Sequence, residues 1–195
     1  MGRIRFALGI AGLALLAGCA TKPETQVTRF HLGQPIAPGQ ITVEPLRSAD
    51  KGSVEFQSYA DIVGRELAKI GFTEAPGLRA SEQVAVVSVD RGARQAQRRS
   101  GLSIGVGGGS FGGGGGIGGG ISVPVGGNRP NEIVVTRLVV QLKRRSDGSV
   151  IWEGRAETAA PAASADAQPA AAVARLASAL FQGFPGESGR TITVK

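Results

Sequence analysis

Residues 133–143, IVVTRLVVQLK, and residues 150–157, VIWEGRAE, alternate apolar and polar side chains, the period of a strand with one buried face. In the first run Val134, Leu138, Val140 and Leu142 share a face against Arg137, Gln141 and Lys143; in the second Val150, Trp152 and Ala156 oppose Glu153, Arg155 and Glu157. Between them lies SDGS. A two-residue Asp-Gly loop would pair Leu142 with Glu153 and put the apolar sets on opposite faces. A three-residue loop, Ser146-Asp147-Gly148, pairs Leu142 with Trp152 and Val140 with Gly154. A slip of one residue moves every side chain to the other face, so only the second register buries one face. The spacing therefore predicts a type I turn, with Gly148 in the left-handed region forming a bulge.

The rest of the chain supplies partners for this hairpin. VTRFHLG and QITVEPL are short β-rich runs separated by QPIAPG, whose prolines and glycine mark a turn. In residues 53–70, Phe56, Tyr59, Val63, Leu67 and Ile70 recur at helical spacing, and Gly71 follows where a left-handed residue ends a helix. EQVAVVSVD is apolar on both parities, the pattern of a strand buried on both faces. After the Ala/Pro-rich TAAPAASADAQP, a second helix is expected over 167–182, with Asp166 as N-cap and Pro169 in the first turn. Its stripe is Val173, Leu176, Leu180 and Phe184, it ends at Gly183 or Pro185, and RTITVK offers a last edge strand. Two helices and about five strands in this order imply an α+β domain, one mainly antiparallel β-sheet with two amphipathic helices packed on a face, plus a Gly-rich hairpin or loop.

That Gly-rich insertion, residues 101–127, holds fifteen of the chain's 31 glycines. Several familiar motifs occur inside it. Gly107, Gly109 and Gly112 have dinucleotide-fingerprint spacing, but no helical pattern follows to present its N-terminus to a pyrophosphate. A phosphate-cradling loop needs Gly-Lys-Ser/Thr, and no lysine lies between Lys69 and Lys143. Gly-x-Ser-x-Gly occurs around Ser103 and around Ser110, yet a nucleophile elbow needs a following acid and histidine, and the sole histidine, His31, lies upstream. Composition this biased generates such matches by chance. Leu102, Ile104 and Val106, and then Ile121, Val123 and Val125, alternate with small residues, so a Gly-tipped hairpin extending the sheet and a flexible insertion both remain open.

The N-terminus says where the chain works. Arg3 and Arg5 precede the short apolar run FALGIAGLALLA, which is too short for the roughly 20 residues of a spanning helix. A basic region followed by a short apolar one is a secretory signal peptide, expected here over residues 1–18. It ends in Leu16-Ala17-Gly18-Cys19, which resembles a bacterial lipobox, so Cys19 is the expected lipidation site. As the chain's one cysteine it forms no internal disulfide, and no second Cys or nearby His completes a metal set. Several acyl chains, each stabilised by about 0.8 kcal/mol per buried methylene, hold a protein on a bilayer permanently. Residues 19–25 then form a lipidated tether and 26–195 a single domain. Ala20 follows the cysteine, and resemblance to Gram-negative lipoproteins implies outer-membrane sorting, with the domain facing the periplasm.

Formal charge is +7 and falls to +5 without Arg3 and Arg5. An exported chain does not meet nucleic acid, so phosphate-rich lipid is the anionic neighbour to consider. The one dense basic run gathers Arg91, Arg94, Arg98 and Arg99 just before the glycine tract; it offers either a lipid-phosphate contact or protection of a sheet edge against aggregation. His31 has no carboxylate or cysteine at ligand spacing and reads as structural or exposed; Asp61 and Glu66 lie on the polar side of the first helix; Trp152 reads as core.

The order of features is itself informative: the lipobox, TRF, ITVEP before a helix ending ELAKIGF, VAVVSVD, the glycine tract, VIWEGRAE, and a last helix closing with LFQGFPG. It resembles the bacterial lipoproteins of domain-of-unknown-function family 4136. The resemblance implies an envelope lipoprotein with an α/β fold and no catalytic residue to carry over. The expectation is a non-catalytic binding or assembly module, anchored in the membrane through Cys19, with an envelope protein as partner and no cofactor or metal. The competing expectation is an envelope serine hydrolase using Ser103 or Ser110.

Overall fold

A computed structural model of the chain describes residues 23–75, 81–95 and 132–195. Cys19, Arg98, Arg99, Ser103, Ser110 and the whole of 101–127 lie outside the described residues, and with them the hairpin read from the glycine tract.

Strands β1 (Thr25–His31) and β2 (Gln40–Pro45) precede helix α1 (Val54–Lys69) and the two-residue strand β3 (Thr73–Glu74). Three long strands follow, β4 (Gln83–Gln95), β5 (Glu132–Arg144) and β6 (Val150–Pro161), then helix α2 (Pro169–Phe181) and strand β7 (Thr191–Val194). All seven strands form one sheet in the order β3-β2-β4-β5-β6-β1-β7. Pairing is antiparallel except where β2 meets β3 and β4 in parallel. The fold is α+β, with both helices on one face of the sheet.

The hairpin closes as its alternation demands. Leu142 pairs with Trp152 and Val140 with Gly154, and a register shift between Leu142 and Lys143 marks the bulge. Gly148 carries φ +70°. With that register set, Leu138, Val140, Leu142, Trp152 and Ala156 all face the helices and are fully buried.

Helix α1 starts where the Ser53 side chain accepts from the Phe56 N–H, with Glu55 in its first turn and Lys69 in its last, charges that complement the helix dipole. It buries Tyr59, Ile62, Val63 and Leu67, and Gly71 continues beyond it at φ +99°. Helix α2 begins at Pro169, two residues later than expected. Gln168 occupies the N-cap position without a side-chain bond, while Asp166 sits in the short turn Ala165–Ala167 and pairs instead with Arg175. Asp166 is therefore not the cap; proline at the first helical position needs no donor there. Phe184 lies beyond the helix, turned back onto the core by Gly183 at φ +70°.

Strand β4 departs from the two-faced burial its valines suggest. Ala85 and Val87 pack in the core, but on the other face only Val84 is buried, Val86 and Ser88 being half-exposed. That face carries no helix, and there Val84 pairs with Lys143 and Val86 with Gln141, polar cross-strand neighbours.

The registers also define two ends of the sheet. One cross-strand row joins Thr25, Thr158, Thr136 and Arg91. The chain enters the domain here, and residues 96–131 leave and return from Gln95 and Glu132 on the same side. His31, the start of β4 and the β5–β6 turn lie at the opposite end. Because β1 borders β6 while β2 borders β4, residues 32–39 must cross that opposite end.

Candidate functional site

The crossing segment and the β5–β6 turn do not close on each other. Between them lies an open groove of about 770 Å³, walled by Leu32, Pro35 and Ile36 on one side and by Arg144, Val150 and Ile151 on the other. Its size is that of small-molecule and peptide clefts. Leu32 is 85% exposed and Val150 42%, so the apolar walls are presented to solvent.

Each polar group around the groove has a local cause. Arg145 leaves β5 on the helix-free face and its guanidinium folds over the start of β4. Nε donates to the Ser81 carbonyl at 3.0 Å, and Nη2 to Thr42 Oγ1 at 2.8 Å and Glu44 Oε1 at 2.7 Å. Arg144 Nη1 donates to Asp147 Oδ2 at 2.8 Å. Within the turn, Asp147 Oδ1 accepts from the Ser149 N–H at 3.0 Å and from Ser149 Oγ at 2.7 Å. These bonds, the main-chain one foremost, hold the Asp147 carboxyl down at about 2. A carboxylate so weakly basic is no general base at neutral pH, so the adjoining Ser149 is not activated by it. On the floor, Gln83 Nε2 donates to the Ala37 carbonyl at 3.1 Å, and Gln83 Oε1 is buried with no donor among the described residues. The groove thus combines apolar walls, a rim of ion pairs, Arg144–Asp147 and Arg145–Glu44, and one spare buried acceptor.

The arginine run read from the sequence does not form one patch among the described residues. Arg91 and Arg94 are three positions apart on a strand and so point to opposite faces. Arg91 Nη2 donates to the Ala167 carbonyl at 2.5 Å on the helix side, whereas Arg94 lies on the other side, 3.9 Å from Glu157. His31 is structural: its Nδ1 accepts from the Gly33 N–H at 3.1 Å and its Nε2 donates to the Gly186 carbonyl at 3.0 Å. Asp61 is exposed on α1, and Trp152 is wholly buried. Among the described residues no group of three or more His, Cys, Asp or Glu is placed to hold a metal, and no helix is long and apolar enough to cross a membrane.

The model of a family described as a domain of unknown function, DUF4136, matches residues 39–186. The chain belongs to the DUF4136 family. Its matched span runs from the end of the crossing segment to the turn after α2. An uncharacterized protein of Zymomonas mobilis is 36% identical to this DUF4136 chain over 217 residues, covering 90% of it and 82% of that protein. Two solved structures show distant likeness. A PelC dodecamer from Paraburkholderia phytofirmans matches with a TM-score of 0.42 at 10% identity, over 80% of this chain and 93% of that one. A PDZ domain protein from Parabacteroides distasonis matches with a TM-score of 0.47 at 8% identity, over 89% of this chain and 39% of that one.

Sequence reading missed the groove because its walls come from segments far apart in the chain. Two local signals were present: the Arg144-Arg145 pair at a strand end, and the large apolar Leu32 placed just after a strand and before Gly33.

Proposed function

We propose that this protein is a lipid-anchored lipoprotein of the outer membrane, facing the periplasm, and that it is a non-catalytic binding module whose groove takes a polypeptide segment of an envelope partner. The observation that carries this reading is positional. The lipobox cysteine lies six positions before Thr25, where β1 starts, and the groove lies at the other end of the sheet. From Glu132 to Arg144 strand β5 advances twelve residues, about 40 Å at roughly 3.3 Å per residue. A domain tethered at one end displays the groove outward, away from the bilayer. An apolar side chain of a bound segment fits between Leu32 and Val150, and a peptide N–H has Gln83 Oε1 to donate to.

Two experiments test the reading. Cells fed a clickable palmitate analogue are expected to label the protein, and Cys19→Ser is expected to abolish both labelling and sedimentation with outer membranes; normal processing and fractionation of Cys19→Ser would end the anchor reading. A photo-crosslinking residue at Leu32 is expected to capture a defined periplasmic neighbour in intact cells, and Val150→Asp to suppress the capture. Stoichiometric reaction of Ser103 or Ser110 with a fluorophosphonate probe would instead establish the hydrolase alternative.

A further inference from the structure

The three central strands run past the row where the chain enters. Beyond that row, on the helix-free face, two further cross-strand rows complete the sheet: Gly92, Val135 and Ala159, then Arg94, Ile133 and Pro161. The row behind them is ionic, Asp90, Arg137 and Glu157, with Arg137 Nη2 2.6 Å from Glu157 Oε2. The ionic ladder of this face therefore stops there: the two end rows of the three central strands carry Arg94 as their one charge, with Glu24 beside them at the β1 edge. Ala159 and Pro161 are exposed, Ile133 and Val135 half-exposed. Arg94 has a side chain 66% exposed and holds Glu157 only at 3.9 Å, long for an ion pair and readily exchanged for another anion.

The tether decides what meets this tip. Glu24 is fixed to the sheet, its carbonyl accepting from Thr158 Oγ1 at 3.0 Å, so the free leash runs only from Cys19 to Glu24, about 17 Å at full extension. Glu24 continues β1 by one residue and so stands level with Ala159. The tip at Gln95 is three residues farther on, about 10 Å, within the leash. With the strands upright and the opposite end on the bilayer, Glu24 would stand at least the length of β1 above it, about 23 Å, which the leash does not span.

We infer that the end of the β4–β5–β6 ribbon rests on the phospholipid surface through its helix-free face, with Ala159, Pro161, Ile133 and Val135 in the headgroup boundary and Arg94 on lipid phosphate. This rests on the anchor reading above and adds to it a second contact, which sets the domain's orientation. A lipid chain alone is a point attachment about which a domain pivots; an apolar tip with a cation behind it adds buried area and attraction to anionic lipid.

The test uses the full lipidated protein in vesicles of phosphatidylethanolamine and phosphatidylglycerol. The native thiol carries lipid, so Ala159→Cys and Leu32→Cys each offer a single site for an environment-sensitive fluorophore. At position 159 the emission is expected to shift to the blue and to be quenched by lipids bearing a spin label near the headgroup. At position 32 only a water-soluble quencher is expected to act. Equal access of the aqueous quencher to both positions would overturn the inference, although the protein would still float with the vesicles. Failure of the anchor itself is distinct, because then nothing floats. The Cys19→Ser form without vesicles supplies the reference: if its label at 159 is already shielded from water, the chain covers its own tip and the inference falls.

Discussion

The guanidinium of Arg29, on β1, donates from Nε to the main-chain carbonyl of Leu180 at 2.9 Å. Its Nη2 donates to Ala179 and Gln182 at 3.0 and 2.9 Å. These are carbonyls of the last turn of α2 and its cap, which lack N–H partners within the helix, and that turn has no basic residue of its own. A strand thus supplies the cation that the helix end needs. Arg29 is only 4% exposed, and burial pushes its pKa below the ordinary arginine value.

Arg29→Met is expected to destabilise the fold by about 2–4 kcal/mol, since two buried carbonyls and one half-buried one lose charge-assisted bonds at once. Arg29→Lys should recover little, because one ammonium does not reproduce the planar fork. Urea denaturation reads this as a lower midpoint at unchanged slope. Wild-type midpoints in both variants would show that β1 does not hold the helix end.

Gly154 lies under Trp152, two residues earlier on the same face. A Cβ there would stand 2.3 Å from Trp152 Cη2 and 2.7 Å from Leu180 Cδ1. The indole stacks on Phe181 at 5.6 Å between centroids, and its Nε1 donates to the Pro185 carbonyl at 3.0 Å. Gly154→Ala must displace that ring, at about 1–3 kcal/mol for an overpacked core. As the chain has one tryptophan, its emission reports the displacement directly: a red shift together with a lower unfolding midpoint is expected. Unchanged emission and midpoint would mean the indole has room that the packing denies it.

These two sites mark where sequence reading succeeded and where it stopped. The Leu142–Trp152 pairing was legible because alternation and turn chemistry both act over neighbouring residues. Arg29 was not: it follows Thr25 and Val27 at core parity, but a charged residue at an inward position reads as an outward one until the helix carbonyls it meets are known. Ile62 escaped the α1 stripe for a related reason, since the width of a buried face depends on what covers it. The valines of β4 misled in the other direction, β-branched residues being favoured on strands whether or not a second layer exists. The groove depends on a crossing over the sheet end, which follows from strand order and from no local pattern.

Tyr59 is the chain's one tyrosine, buried on α1 with its hydroxyl donating to Glu55 Oε1 at 2.5 Å. Burial foremost, then the bond and charge of Glu55, push its pKa up to about 12, with Arg91 pulling the other way. A raised pKa contributes stability that is complete below the unfolded value of about 10 and is lost as pH rises toward 12. Phenolate absorbance should therefore show a single transition near 12, moving down but not fully back in Glu55→Gln, where burial remains. A transition near 10 in the folded protein would place the phenol in water.

Asp147 gives the opposite sign at the groove rim. Its carboxyl is held at about 2 by the Ser149 main-chain N–H first, then by Ser149 Oγ, with Arg144 adding to both. A depressed pKa contributes stability that is present above the unfolded value near 4 and is lost as pH falls toward 2. Asp147→Asn keeps an acceptor for the Ser149 donors but removes the charge, so comparison of the two proteins isolates the charge from the other carboxylates. The stability difference between them is expected to be constant at neutral and mildly acid pH, and to shrink steadily from about pH 4 to about pH 2 as the wild-type carboxyl takes up its proton. Urea midpoints measured across that window decide it. A difference that does not change with pH would mean the turn is held by shape alone, through Gly148 and the bulge, and that the carboxylate's ionisation is incidental to the wall it supports.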